Sequence, residues 1–337
     1  MDQKKIRVGI IGCGGIAQGH IMQLLRVPEA EIVALCDVKE ERIEWTKKNF
    51  SVIPSMANAK AFSDYKEMLE SVELDAVEIH TPHTLHYEQI MASLDKGLHV
   101  LVEKPMVCKV SHAKDVVAKA KEKGKVVLVS YQRHYQPQFR YIKQVIESGE
   151  LGSVQFISAL QSQDWYRGTK GTWRQDPLLS GGGQINDSGS HLIDIILWTT
   201  GLHPKSVFSF MNNLDSKVDI NSSLSIRFVE NAEASIAIVG NSPCWWEDIT
   251  IWGTKGAIFY RNGRLQHWPE GGKAILEPIH MPRGGNPDSN FINAILGKEQ
   301  VESPPECGLR VIELTEAAWR SAAEGRMVEV SEVSDIS

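Results

Sequence analysis

Over its first 130 residues the chain alternates short apolar runs with segments of helical spacing. Residues 6–11 (Ile-Arg-Val-Gly-Ile-Ile) predict a strand and 16–26 a helix. Strands follow at 31–36, 75–81, 99–102 and 126–130, with helices at 85–96 and 111–123. Strands alternating with helices of this length imply a parallel, doubly wound sheet, which binds its ligands at the carboxyl ends of its strands. A helix over 137–148 then opens a different texture. The stretches 153–163, 205–213, 220–229, 233–240, 247–252 and 256–261 are β-rich and joined by short turns, as in an antiparallel sheet. Further helices are expected at 289–296 and 308–323. The expected architecture is α/β: a Rossmann domain over 1–130, then an α+β domain over 131–337 with a large, mainly antiparallel sheet. The C-terminal helix could return to pack on the first domain.

Composition fits this division, since 337 residues exceed one simple core. A net charge of −6 and a pI near 6.0 argue against nucleic acid or an anionic membrane as partner. Five scattered cysteines without a Cys-x-x-Cys pair suit a reducing compartment and offer no thiolate zinc site. The expected location is the cytoplasm, because residues 1–5 lead directly into a strand and no apolar run reaches membrane-spanning length. One face of the antiparallel sheet can be left for a partner, so a homodimer or homotetramer through it is expected.

The first strand ends in Gly12-Cys13-Gly14-Gly15-Ile16-Ala17, a Gly-x-Gly-x-x-Ala fingerprint between strand and helix. Gly12 allows the sharp turn, Gly14 lets the backbone approach a pyrophosphate at the helix N-terminus, and Ala17 permits close helix–strand packing. Twenty residues beyond Ala17, Asp37 ends the second strand where a carboxylate meets the adenosine ribose and repels a 2′-phosphate. NAD is therefore expected over NADP.

Other strand ends carry Thr81-Pro82-His83, Glu103-Lys104-Pro105 and Tyr131-Gln132-Arg133. Pro105 restricts Lys104 to extended conformations, which gives its side chain a defined direction. His80, His83 and His86 fall at three-residue intervals but in different elements, so they are read as cofactor-edge or capping groups and no metal is expected. In the stretch 180–198, glycines 181–183 precede Asp187 and His191, four apart and on one face if helical. The glycines would let the backbone turn and a ligand approach. Asp194 is either a second polar contact or the buried partner of a backbone group. Trp165, Trp173 and Arg174 lie in a polar loop, and aromatic faces beside hydrogen-bonding groups suit a carbohydrate-like ligand.

These motifs, with the segment 96–105 (Lys-Gly-Leu-His-Val-Leu-Val-Glu-Lys-Pro), resemble the Gfo/Idh/MocA oxidoreductase family along nearly the whole chain. The resemblance implies oxidation of a sugar, cyclitol or polyol hydroxyl by NAD(P), with the substrate between the two domains. It makes Lys104, Asp187 and His191 the catalytic group, with Arg133, Trp165, Trp173 and Arg174 beside the substrate. The cofactor contacts are Gly12, Gly14, Gly15, Ile16, Ala17, Asp37, Thr81, Pro82, His83, His86, Glu103 and Lys104. Residues 132–134 depart from the family's usual asparagine and two arginines, with His134 in place of the second arginine. Two other functions remain open: a glycosidase using transient NAD-dependent oxidation, and a non-catalytic NAD-binding regulator.

Overall fold

A computed structural model describes residues 5–334. Its chain divides into two compact units. The first comprises the chain up to Val107, His112–Gln132 and Gly285–Glu306; the second takes Cys108–Ser111, Arg133–Gly284 and the chain from Cys307.

The first unit is built on six parallel strands: β1 (Ile6–Ile11), β2 (Ala30–Cys36), β3 (Lys60–Phe62), β4 (Ala76–Ile79), β5 (His99–Val102) and β6 (Val127–Val129), in the spatial order β3-β2-β1-β4-β5-β6. Helices α1 (Gly15–Leu24), α2 (Glu40–Asn49), α3 (Pro54–Asn58), α4 (Tyr65–Ser71), α5 (His86–Asp95) and α6 (Val110–Lys123) connect them. The apolar central strands are buried on both faces, the reason they read as continuous hydrophobic runs. Strand order reverses between β1 and β4, so the carboxyl ends of these two strands open the crevice where such sheets bind nucleotides. A late segment completes this core. Helix α11 (Pro287–Ile295) buries Phe291 and Ile292 among Ile10, Ala17, Ile21, Leu101 and Leu128.

The second unit starts with α7 (Pro137–Glu147), β7 (Val154–Asp164), α8 (Trp165–Thr169), α9 (Pro177–Ser180) and α10 (Gly189–Thr200). Strands β8 (Pro204–Asn212), β9 (Asn221–Phe228), β10 (Glu233–Val239), β11 (Asn241–Gly253), β12 (Gly256–Arg261), β13 (Arg264–Pro269) and β14 (Ile275–Leu276) follow, then α12 (Pro305–Glu324) and β15 (Val328–Glu329). Nine strands form one sheet in the order β14-β13-β12-β11-β7-β10-β9-β8-β15. Only β7 and β10 pair in parallel. Trp252, Phe156, Glu233 and Arg227 lie in register across β11, β7, β10 and β9, so they share one face, and that face is exposed. Among the described residues no helix is long and apolar enough to cross a membrane.

Candidate functional site

In the first unit, β1 turns into α1 through Gly12, whose φ of +93° favours glycine. A Cβ there would also lie 2.8 Å from the carbonyl carbon of His80. Gly14 and Gly15 differ, because a Cβ at either would meet no protein atom within 4 Å. Internal packing therefore does not explain these two glycines, whereas backbone approach by a pyrophosphate does. Gly14 occupies the N-cap without a side-chain cap, leaving the first N–H groups of α1 for an anion. Ile16 is exposed beside them and Ala17 is fully buried.

Asp37 is fixed by two backbone donors, with Cys13 N–H to Oδ2 and Lys39 N–H to Oδ1, both at 2.9 Å. Each oxygen keeps a second lone pair for a ribose hydroxyl. Arg42 stands 3.6 Å from Oδ2. These residues fit an adenosine diphosphate moiety.

At the end of β4, the Thr81 hydroxyl donates to Gln89 Oε1 at 2.6 Å, and Pro82 leads into a short 3-10 turn carrying the buried His83. His86 is wholly buried, with Nδ1 2.9 Å from the Pro105 carbonyl and Nε2 2.9 Å from the Thr81 carbonyl. It ties the β4 loop to the loop holding Lys104. Burial pulls its pKa below the usual value, although both carbonyls favour the charged ring.

Sequence reading missed the group beneath that loop. His20 of α1 lies 2.9 Å from Glu103 Oε1 and 2.9 Å from Asp288 Oδ1 of α11. Its ring stacks on His80 at 4.5 Å, and His80 in turn lies 3.3 Å from Glu78. Burial opposes charge on His20, but Asp288 and then Glu103 outweigh it and raise the pKa well above its usual value. Burial raises the pKa of Glu78. His20, Glu78 and His80 bring ligand-capable atoms within 4.8 Å of one another. However, stacked rings direct their in-plane lone pairs side by side, and both nitrogens of His20 face carboxylates, so the geometry is that of a hydrogen-bonded network. A second group of this kind, His134, Asp194 and Cys307, is also buried.

In the second unit, Asp187 precedes α10 by two residues, in a turn, instead of standing on the helix as expected. Its Oδ2 accepts from Trp165 Nε1 at 2.8 Å and Arg174 Nε at 3.0 Å. The guanidinium of Arg174 lies 4.4 Å above the ring of Trp173. Trp165, Trp173, Arg174 and Asp187 thus form one cluster. Helix α10 is apolar and buried nearly all round; from Gly189 to Thr199 every residue except His191 is fully buried.

The glycine run serves chiefly the chain itself. Gly181 takes φ +66° to end α9. A Cβ on Gly182 would come within 2.4 Å of Trp319, and one on Gly183 within 1.9 Å of the Asp219 carbonyl oxygen. Asp219 fastens this turn by accepting from the backbone N–H groups of Gly183 and Ile185 and from Trp319 Nε1. Close approach here comes from protein, where a ligand was expected.

Two other residues are engaged inside the second unit. Arg133 forms a buried ion pair with Glu247. His134 is fully buried, 2.7 Å from Asp194 and stacked on Trp198 at 4.3 Å. Asp194 is thereby the partner of a side chain, neither of the two roles considered for it.

Comparison with known proteins agrees with this frame. Residues 6–131 match the oxidoreductase family with an NAD-binding Rossmann fold, and 139–259 match the GFO/IDH/MocA C-terminal domain. The myo-inositol 2-dehydrogenase of Thermotoga maritima is 24% identical over 347 aligned positions, covering 97% of this chain and 99% of that one. The scyllo-inositol 2-dehydrogenase (NAD(+)) of Bacillus subtilis is 26% identical, covering 79% and 76%. The structure of the WlbA dehydrogenase from Bordetella pertussis, in complex with NADH and UDP-GlcNAcA, superposes with a TM-score of 0.85 at 25% identity, covering 97% and 99%. The strand order and both family matches agree: the chain belongs to the GFO/IDH/MocA family of NAD-binding oxidoreductases.

Proposed function

We propose that the protein oxidises a secondary hydroxyl of a sugar, cyclitol or related polyol, with His191 as general base and Lys104 and Asp187 as its catalytic partners. The observation that carries this reading is His191 itself, the one residue left accessible between Gly189 and Thr199 of a buried helix, two residues into α10. An imidazole is the side chain suited to take a hydroxyl proton near neutral pH. Lys104 stabilises the developing alkoxide, and Asp187, fixed by Trp165 and Arg174, holds a neighbouring hydroxyl. Bound NAD supplies the hydride acceptor; Gly12, Gly14, Gly15, Ile16, Asp37, Thr81, Pro82 and His83 are assigned to holding it, with Ala17 packing the turn and His86 bracing the loop behind them. Support for a polyol substrate comes from the inositol dehydrogenase relatives and from the aromatic–polar cluster around Asp187.

We assign the exposed sheet face carrying Phe156, Trp252 and Phe210 to a second copy of the chain, as a homodimer or homotetramer. The five free cysteines support a cytoplasmic location.

A screen of sugars and cyclitols for NAD reduction tests the reaction, and His191→Ala tests the base. Turnover should fall at least ~100-fold while NADH affinity stays unchanged. Near-normal turnover in that variant would refute the assignment.

A further inference from the structure

Helix α1 does more than present its N-terminus to a phosphate. Five residues beyond its start, His20 enters the polar interior at the carboxyl ends of β4, β5 and β6. Its two ring nitrogens each face a carboxylate at 2.9 Å, Glu103 just after β5 and Asp288 in the first turn of α11. Ser130 approaches the same Nε2 at 3.4 Å, and the ring stacks on His80. All four titratable partners, His80, Glu78, Glu103 and Asp288, are buried.

Glu103 passes this arrangement on. Its Oε1 accepts from His20 and from Gln132 Nε2 at 3.1 Å, while its Oε2 accepts from the backbone N–H of Lys104 at 3.2 Å. The carboxylate that holds the Lys104 backbone is thus fixed by a side chain from the dinucleotide-binding helix. Asp288, on a segment nearly the whole chain away, holds the far side of the same ring.

We propose that His20 is a positioning residue that acts on Lys104 through Glu103, linking the dinucleotide-binding helix to the lysine of the reaction. The inference rests on the catalytic role given to Lys104. An imidazolium donates to two carboxylates at once, whereas an uncharged glutamine amide donates from its one nitrogen only and turns its acceptor oxygen toward the other carboxylate.

The test is a double-mutant cycle on the full-length protein, using the polyol found by the NAD-reduction screen. His20→Gln should lower kcat about tenfold with KM for NAD within about twofold, and in a Lys104→Met background it should lower kcat less than about twofold. An equal loss in both backgrounds would show general damage and overturn the proposal, as would an undiminished kcat. Should His20→Gln fail to fold, Asp288→Asn removes the other charge without changing shape and must show the same pattern. Undiminished turnover in Lys104→Met alone would instead overturn the role of the lysine. An impaired Lys104→Met beside an unaffected His20→Gln would overturn only the link through His20.

Discussion

The indole N–H of Trp165 donates to the Asp187 carboxylate at 2.8 Å, on the same oxygen that receives Arg174. Trp165 is the first residue of α8 and is buried, so the donor is held by packing. Trp165→Phe keeps most of the ring but deletes this donor. Loss of one hydrogen bond to a charged group costs about 1.5–3 kcal/mol, so kcat/KM for the polyol should fall about tenfold or more. Steady-state kinetics, with NADH affinity as the control, decides the point.

Two glycines should fail in opposite ways. Gly183→Ala places a methyl 1.9 Å from the Asp219 carbonyl oxygen, whereas Gly14→Ala places one where no protein atom lies within 4 Å. Overpacking should cost Gly183→Ala about 3 kcal/mol or more, roughly 6–12 °C in Tm, with expression itself impaired. Gly14→Ala should melt as the parent does but bind NADH at least about tenfold more weakly, because the methyl occupies the approach to the helix N-terminus. Calorimetry and NADH fluorescence titration separate the two.

Asp37→Asn retains an oxygen acceptor and removes the charge that repels a 2′-phosphate, with Arg42 already 3.6 Å away. The ratio of kcat/KM for NADP to that for NAD should rise at least about tenfold. An unchanged ratio would remove Asp37 from cofactor selection.

His99 gives the stability curve an acid limb. Burial, then Lys125, lowers its pKa from 6.5 to about 4, and its Nδ1 accepts the Val126 N–H at 3.0 Å. Above pH 6.5 the ring is neutral in both folded and unfolded chains. As pH falls from 6.5 toward about 4 only the unfolded chain takes the proton, so this contribution is progressively lost. His99→Asn keeps an acceptor near Nδ1 without a titrating group. Its Tm should therefore fall less steeply than the parent's across that window.

Much of the frame could be read from local pattern. The fingerprint at 12–17, the carboxylate at Asp37 and the alternating strands depend on spacings of about twenty residues or fewer, where chain geometry restricts the outcome. Helices α2 and α4 went unpredicted. In α2 only Ile43 and Thr46 are buried, which is too little apolar pattern to detect. Glycines 181–183 were legible as a turn, but their close contacts are Trp319 and Asp219, and nothing local announces them. The pairing of His20 with Asp288 spans 268 positions, and no periodicity reaches that far.

The same long reach bears on how the protein is made. Phe291 and Ile292 fill the core around β1 and α1, and Asp288 holds His20. A ribosome emitting about 5–20 residues per second delivers β1 through β6 well before α11 emerges. Until then the nucleotide-binding sheet lacks Phe291 and Ile292 from its core, and His20 has only one of its two carboxylates. A chain truncated after Gln132 would remain in that state, so the domain synthesised first is among the last to be completed.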